Sequence, residues 1–395
     1  SYDRYKNFTI SDLKDFWRGR EPSIEDLKSF QNIFVSPFAE YGDFERAEEI
    51  LLWTRKELDK KMNRKIGIYN ESSFFTSIGH MTLLVNLLKA LDLKIIDKEN
   101  TNLNFVITST PISNLEYSKL LLDKCHERGL NINEKPDCTF LDLEPNLELW
   151  PTSCTNNYSL RAQLEGLVEG CWEIENGKKF MNPTTKHLEI GSKLFLENYG
   201  EIPQNFVGMH FRVANDKKTL RNTERSTVKY IIDYLRKKGL KCILVGTKSS
   251  KKFYFKDSIY NFEDTINLID TTKLNLSRYE RECIQLFVWS RSRFFVGSLS
   301  GGTMPPRVFG VPTIYVDMHP QTHLRMPTRF DHIIPKRIFF MEENRFLSHA
   351  ELFEEKHIAA QSENIEFVKR KGYKVISCDR NKLRKSIEDM IIYTN

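Results

Sequence analysis

The sequence predicts an α/β protein built from two successive parallel-sheet units, and three observations carry that prediction. Short apolar, β-prone runs alternate with amphipathic stretches between residues 64 and 125, and again from residue 205 onward. The chain has 395 residues, more than one ordinary core organises and comfortable for two. The stretch Arg293-Phe-Phe-Val-Gly-Ser-Leu-Ser-Gly-Gly-Thr-Met-Pro-Pro-Arg-Val-Phe-Gly-Val-Pro-Thr-Ile-Tyr-Val-Asp317 reads as strand, small-residue turn, short helix and strand. Open α/β sheets bind ligands at the carboxyl ends of their strands, where such a turn lies.

The first unit follows a charged, mostly helical extension. Within it, Phe44–Lys60 sets Ala47, Ile50, Leu51, Trp53 and Leu58 at near-helical spacing. Arg64–Asn70 reads as a strand, Glu71–Gly79 as a loop and His80–Leu91 as a helix. Strands are expected at Leu93–Ile96 and Phe105–Ser109, and a helix from Ser113 to about Cys125. Residues 135–205 hold Pro136, Pro145, Pro151, Pro183 and Pro203 and are less regular, with helical stretches at Leu160–Glu173 and Thr185–Asn198. They are read as the end of the first unit and its connection to the second.

The second unit opens with a strand at Phe206–Val213, then a helix at Thr223–Lys238 that Gly239 ends. Strands follow at Lys241–Gly246 and Ile266–Asp270. Ser277 and Glu280, three residues apart, form a capping-box signal for a helix to Ser290. Phe294–Val296 and Val311–Val316 are strands on either side of the Ser298–Thr303 turn. From Asp317 to about Leu347 the chain reads as irregular; Ser348–Arg370 reads as helical, Tyr373–Ser377 as extended and Arg380–Met390 as helical.

Composition narrows the classes. Hydrophobic content of 40% and charged content of 28% suit a soluble globular protein. The formal charge is +6, with Lys and Arg spread along the chain, so the dense basic tract of a nucleic-acid binder is missing. That charge is a solvated surface, or else serves an anionic ligand or an anionic membrane surface. The seven cysteines form no CxxC pair, which argues against zinc and for reduced thiols in a cytosolic protein. The start, Ser-Tyr-Asp-Arg-Tyr-Lys, has no apolar signal core, and no run reaches about 18 apolar residues. The expected location is the cytoplasm, with any membrane association peripheral and at the inner face. There is no Gly-Lys-Ser/Thr P-loop, GxSxG, HExxH or metal-carrying DxD.

Candidate site residues lie at the ends of the expected strands. His210 and Arg212 share one face of a strand end, where a guanidinium can grip phosphate and an imidazole can donate to it. The plain alternative is a surface pair on an edge strand. Arg221 and Asn222 precede the next helix and offer a cation and an amide, unless they are only a solvated loop with a cap. Gly246 and Thr247 end a further strand, as many strands end. In the Ser298–Thr303 turn, Ser298, Ser300, Gly301, Gly302 and Thr303 can bring N–H groups to an oxyanion, and the helix after the turn adds positive charge. Asp317 ends the next strand and can touch sugar or base. On the first unit, His80 opens a helix after a small-residue loop and can act as general base or anion contact, and Glu71 on that loop is a second base candidate. Glu165 and Glu169, one helical turn apart, read as a solvated face, and Pro320 argues against a metal pair of His319 and His323.

In this order the motifs resemble the GT-B glycosyltransferases of bacterial surface-polysaccharide (capsule and O-antigen) gene clusters. The residues that carry the resemblance are Ile78-Gly-His80, His210-x-Arg212, Arg221-Asn222, Phe294-Phe-Val-Gly-Ser-Leu-Ser-Gly-Gly302 with Phe309-Gly-Val-Pro312, and the ending from Arg345-Phe-Leu-Ser-His-Ala-Glu-Leu352 to Met390. They span about residues 60–390, and the chain is similar also to heptosyltransferases and, through His-x-Arg, to fucosyltransferases. The segment Val213–Leu220 has fewer acidic residues than that family often carries there. The resemblance implies two Rossmann-like domains facing each other across a cleft: residues 1–200 on the acceptor side, residues 201–395 holding a nucleotide-sugar donor. It implies transfer of a sugar to a saccharide or lipid-linked glycan, with no metal or other cofactor. Arg212, Arg221 and the turn amides would stabilise the leaving diphosphate, and His80 or Glu71 would be the base of an inverting reaction. The alternative class is a non-catalytic module that binds a nucleotide or glycan within a larger assembly.

Overall fold

The computed structural model describes residues 65–69, 78–95, 101–104, 114–130, 147–149, 168–212, 219–246, 262, 265–268, 274–298, 300–319, 330–348, 350–362 and 364–395, with scattered positions before residue 60. The expected helix at 44–60 and the expected strand at 105–109 lie largely or wholly outside these residues.

The α/β class and its parallel sheets are present. In the first sheet β1 (Lys65–Tyr69) is flanked by β2 (Thr101–Asn104) and β3 (Leu147–Leu149), both parallel to it. Helix α1 (Ile78–Asp92) buries Met81, Leu84, Val85, Leu87, Leu88 and Ala90, so it is apolar on most of its circumference and forms a core element. Helix α2 (Leu115–Glu127) begins where the Asn114 side chain accepts the Tyr117 N–H at 2.8 Å. The strand expected at 93–96 is not formed in its described part. The helix runs to Asp92, and Lys94 turns the chain with a left-handed φ of 57°.

Helix α3 (Thr185–Tyr199) leads into the larger sheet, closed by Gly200 in the left-handed conformation at φ 74°. The sheet's strands are β4 (Phe206–His210), β5 (Lys241–Leu244), β6 (Thr265–Asn267), β7 (Phe294–Gly297), β8 (Thr313–Met318) and β9 (His332–Pro335). They lie in the order β6-β5-β4-β7-β8-β9, and every described pairing is parallel. This is the doubly wound order, in which chain growth reverses between the first strand and the fourth. The switch point therefore lies between β4 and β7.

Helices cover both faces. Val207 and Met209 point to the face packed by α4 (Arg225–Lys237) and α8 (Arg380–Tyr393), through Val228, Ile231, Leu235, Leu383, Ile387 and Met390. Phe206 and Phe295 point to the other face, against α5 (Arg278–Arg291) and α3. That second cluster continues through Trp289, Val308 and Phe309 into α1 and α2, so the two units share apolar core.

The region from Asp317 to about Leu347, expected to be irregular, holds β9, β10 (Arg337–Phe340) and β11 (Arg345–Phe346), and β10 and β11 form a small antiparallel sheet with β12 (Tyr373–Ile376), which lies in the stretch read as extended. Strands β9, β10 and β11 are two to four residues long, too short for a periodicity signal. The expected helix at 348–370 breaks into 3-10 turns at Glu351–Phe353 and Glu355–Gln361, then α7 (Ile365–Arg370), which Asn364 caps.

Candidate functional site

The carboxyl ends of β4 and β7 form the centre of the site. His210 ends β4 and pairs in register with Gly297, the end of β7. Ser298 N–H then donates to the His210 carbonyl at 3.1 Å, extending the ladder one step. Gly297 has no room for a side chain, because a Cβ there would strike the His210 carbonyl and Thr303 Cγ2.

The His210 imidazole spans the two strands adjoining β4. Nδ1 lies 2.9 Å from the Val245 carbonyl, beyond β5, and Nε2 lies 3.0 Å from Ser300 Oγ, beyond β7. A carbonyl only accepts, so Nδ1 carries the proton. Burial holds the imidazole pKa below its usual value, against the opposing pull of the Val245 bond. A neutral ring then leaves Nε2 as an acceptor for the Ser300 hydroxyl. Gly302 lies against the ring, where a Cβ would come within 2.7 Å of it.

Around this pair the turn is closed by its own polar groups. Ser298 Oγ, fully buried, accepts the Arg212 N–H at 2.5 Å. The Thr303 hydroxyl donates to the carbonyls of Ser298 (3.1 Å) and Ser300 (2.7 Å). In the 3-10 turn Gly301–Thr303, the first bonded N–H is that of Thr303 to the Ser300 carbonyl, so the Gly301 and Gly302 amides precede its bonds. The expected helix contribution is corrected: α6 (Pro305–Val308) is one turn long and starts with two prolines, which have no N–H to offer.

Arg212 is half-buried just beyond β4, and Arg221 and Asn222 are half-buried at the end of a 3-10 turn ahead of α4. The Gly246 carbonyl accepts from Gln285 Nε2 at 3.2 Å, and Gln285 in turn accepts from the α2 cap residue Asn114 at 3.0 Å. His80 stands in the first turn of α1, and α1 packs on the 301–303 turn and on α6. Glu71 and Thr247 lie outside the described residues. Asp317 is buried with φ 53°, at a register shift in β8. Its carboxylate accepts the Cys378 N–H at 2.7 Å and faces Lys336 at 3.6 Å, which ties it into the β12–α8 connection.

A buried ionic network behind the turn escaped the sequence. Glu169 pairs with Lys89 of α1 at 2.7 Å and with Arg307 of α6 at 3.7 Å. Arg307 also meets Asp331 at 3.3 Å, and Asp331 meets Lys178 at 3.1 Å and accepts the Thr313 N–H at 2.9 Å. The expectation of a solvated face at Glu169 is thereby corrected. Burial alone would lower the Arg307 pKa, but Tyr315, Glu169 and Asp331 more than offset it. An arginine inside the apolar run Met304–Val311 is the one sequence signal of such a network, and it names no partner.

The five described cysteines are free thiols. Among the described residues no helix is long and apolar enough to cross a membrane, and no three His, Cys, Asp or Glu side chains group to hold a metal ion.

No protein-family model matches the chain, and no curated protein sequence matches it. Several solved structures have a similar fold at low identity. The dodecameric iron-containing heptosyltransferase TibC, in complex with ADP-D-beta-D-heptose, is 10% identical over 85% of this chain and 78% of that one, with a TM-score of 0.43. The glycosyl transferase family 9 protein of Veillonella parvula DSM 2008 is 11% identical over 84% and 98%, with a TM-score of 0.41. The E. coli ADP-heptose LPS heptosyltransferase II is 11% identical over 78% and 99%, with a TM-score of 0.39.

Proposed function

We propose that the chain is a glycosyltransferase that moves a sugar from a nucleotide-sugar donor to a saccharide or lipid-linked glycan acceptor, without a metal, in surface-polysaccharide synthesis. The observation that carries this reading is the His210–Ser300 contact across the switch point of a doubly wound sheet. The crevice beyond that point is where such sheets take nucleotides, and a glycine turn lets backbone approach a diphosphate there.

In this reading residues 201–395 hold the donor. Arg212, Arg221 and the Gly301 and Gly302 amides take the diphosphate and stabilise its charge as it leaves. His210, Asn222, Gly246, Thr247, Ser298, Ser300 and Thr303 shape the pocket, with Asp317 behind it. Residues 1–200 present the acceptor, and His80 or Glu71 removes its proton if the anomeric centre inverts. Work at the inner face of a membrane would be peripheral.

The test is a thermal-shift screen of nucleotide-sugars that includes the ADP-, GDP-, UDP- and CMP-linked classes, followed by product analysis with the donors that bind. A donor at 100 times its dissociation constant stabilises by about 2.7 kcal/mol. If no donor stabilises the protein, the reading fails. If a donor binds but is never consumed with any glycan acceptor, the chain is a binding module and the enzyme assignment fails.

A further inference from the structure

We propose that Ser300 meets the donor as a hydrogen-bond acceptor, so that it reads a hydroxyl group of the ligand and does not hold a phosphate oxygen. This rests on the donor-site reading above and changes what the glycine turn does within it.

His210 Nδ1 faces the Val245 carbonyl at 2.9 Å, and a carbonyl has no proton to give. The ring proton is therefore on Nδ1, and Nε2 has a lone pair. Ser300 Oγ lies 3.0 Å from Nε2, and the hydroxyl's one proton is committed there. What Ser300 has left is two lone pairs on a half-buried oxygen.

The neighbouring hydroxyls are turned inward as well. Thr303 gives its proton to the Ser298 and Ser300 carbonyls. Ser298 Oγ is fully buried and occupied by the Arg212 N–H. A phosphate oxygen only accepts, so it gains nothing from Ser300 and is repelled by its lone pairs. A ribose or sugar hydroxyl donates, and the oxygen suits it. The phosphates fall instead to the Gly301 and Gly302 amides and the arginines. Gly302 keeps this arrangement by allowing the turn to lie on the imidazole. Burial of the ring favours its neutral form and so supports the proton placement.

Two measurements on the full chain test the proposal. The first is 15N NMR of labelled histidine in the ligand-free protein, with the His210 signals assigned by their loss in His210→Gln. The expected result is a protonated Nδ1 and a bare Nε2 whose resonance moves in Ser300→Ala. A protonated Nε2 overturns the proposal whatever the ligand. The second is calorimetric binding of inorganic pyrophosphate, of ADP, GDP and UDP, and of their sugar esters. Ser300→Ala should bind pyrophosphate as the parent does. It should lose about 3- to 10-fold in affinity for the probe that supplies the hydroxyl, the value of one neutral hydrogen bond. Loss already with a nucleoside diphosphate identifies a ribose hydroxyl; loss only with its sugar ester identifies a sugar hydroxyl. A comparable loss with pyrophosphate itself, or no loss with any probe, overturns the proposal. If the parent protein binds no nucleotide at all, the proposed function fails, while the NMR result still decides the state of Ser300.

Discussion

His210 and Ser300 are 90 positions apart in the chain, yet His210 Nε2 lies 3.0 Å from Ser300 Oγ. The doubly wound strand order makes the contact, because it places the end of β4 beside the end of β7. Each flanking strand then supplies one partner to the imidazole, a carbonyl on one side and a hydroxyl on the other. The consequences for binding, catalysis and stability can each be measured.

Gly302→Ala should weaken donor binding and lower stability. The added Cβ would stand 2.7–2.8 Å from three atoms of the His210 ring, which is itself anchored to β5. Overpacking of this kind costs about 1–3 kcal/mol. Denaturant unfolding and donor titration should both show the loss. Unchanged stability together with unchanged affinity would mean that the turn does not rest on the ring.

Arg212→Ala should lower turnover about 30- to 1000-fold, the range for removing one charged contact to a leaving group in a dry cleft. Arg212→Lys should recover part of that loss and no more, since an ammonium is a point charge and a guanidinium grips two oxygens in one plane. The backbone bond from Arg212 N to Ser298 survives both changes. A folded Arg212→Ala protein with parent-like turnover would reduce Arg212 to a structural residue.

Transfer should persist in EDTA. In the proposed site the diphosphate charge is met by Arg212, Arg221 and backbone amides, so no ion is required to balance it. The assay compares rates with and without chelator. Complete loss, restored by magnesium or manganese, contradicts the assignment.

His80→Ala should reduce turnover about 10²- to 10⁴-fold and leave donor affinity nearly unchanged, the pattern of a base that acts only in the transition state. The motivation is structural: α1 carries His80 in its first turn and packs against the 301–303 turn. Weaker donor binding with a matching loss of rate would make His80 an anion contact. No effect on either quantity would pass the role to Glu71.

Glu169→Ala should cost about 3–5 kcal/mol, as expected when one partner of a buried ionic network is removed and its cations remain. Lys193→Ala, which breaks an exposed pair with Glu197, should change stability little. Burial lowers the Lys89 pKa while Glu169 pulls the other way. Burial raises the Glu169 pKa, but Lys89 and Arg307 drive it below the ordinary range, and this direction governs because Glu169 faces two cations. The unfolded chain therefore takes up this proton at a higher pH than the native protein does. The stabilisation is complete above about pH 5 and is lost as pH falls through the lower folded value. Unfolding curves from neutral pH downward should show that slope in the parent and a shallower one in Glu169→Ala. Equal slopes would remove Glu169 from the account.

By itself the sequence determined what depends on a few neighbouring residues. The capping box of α5 is formed, with Ser277 and Glu280 each bonded to the other's backbone N–H. The strand that carries His210 and the strand before the glycine turn were legible for the same reason: periodicity and caps act over one or two turns. Tertiary structure decided every contact that joins distant segments. It took Asp317, whose strand-end position suggests a ligand contact, and bound it to Cys378, 61 positions away. It drew Glu169 from a helix face that reads as solvated into contact with Lys89 and Arg307. It paired β10 with β11, short strands after Asp317 that no local pattern announces. Strand pairing and buried charge satisfaction are settled by which surfaces meet when the core closes, and local spacing has no information about that.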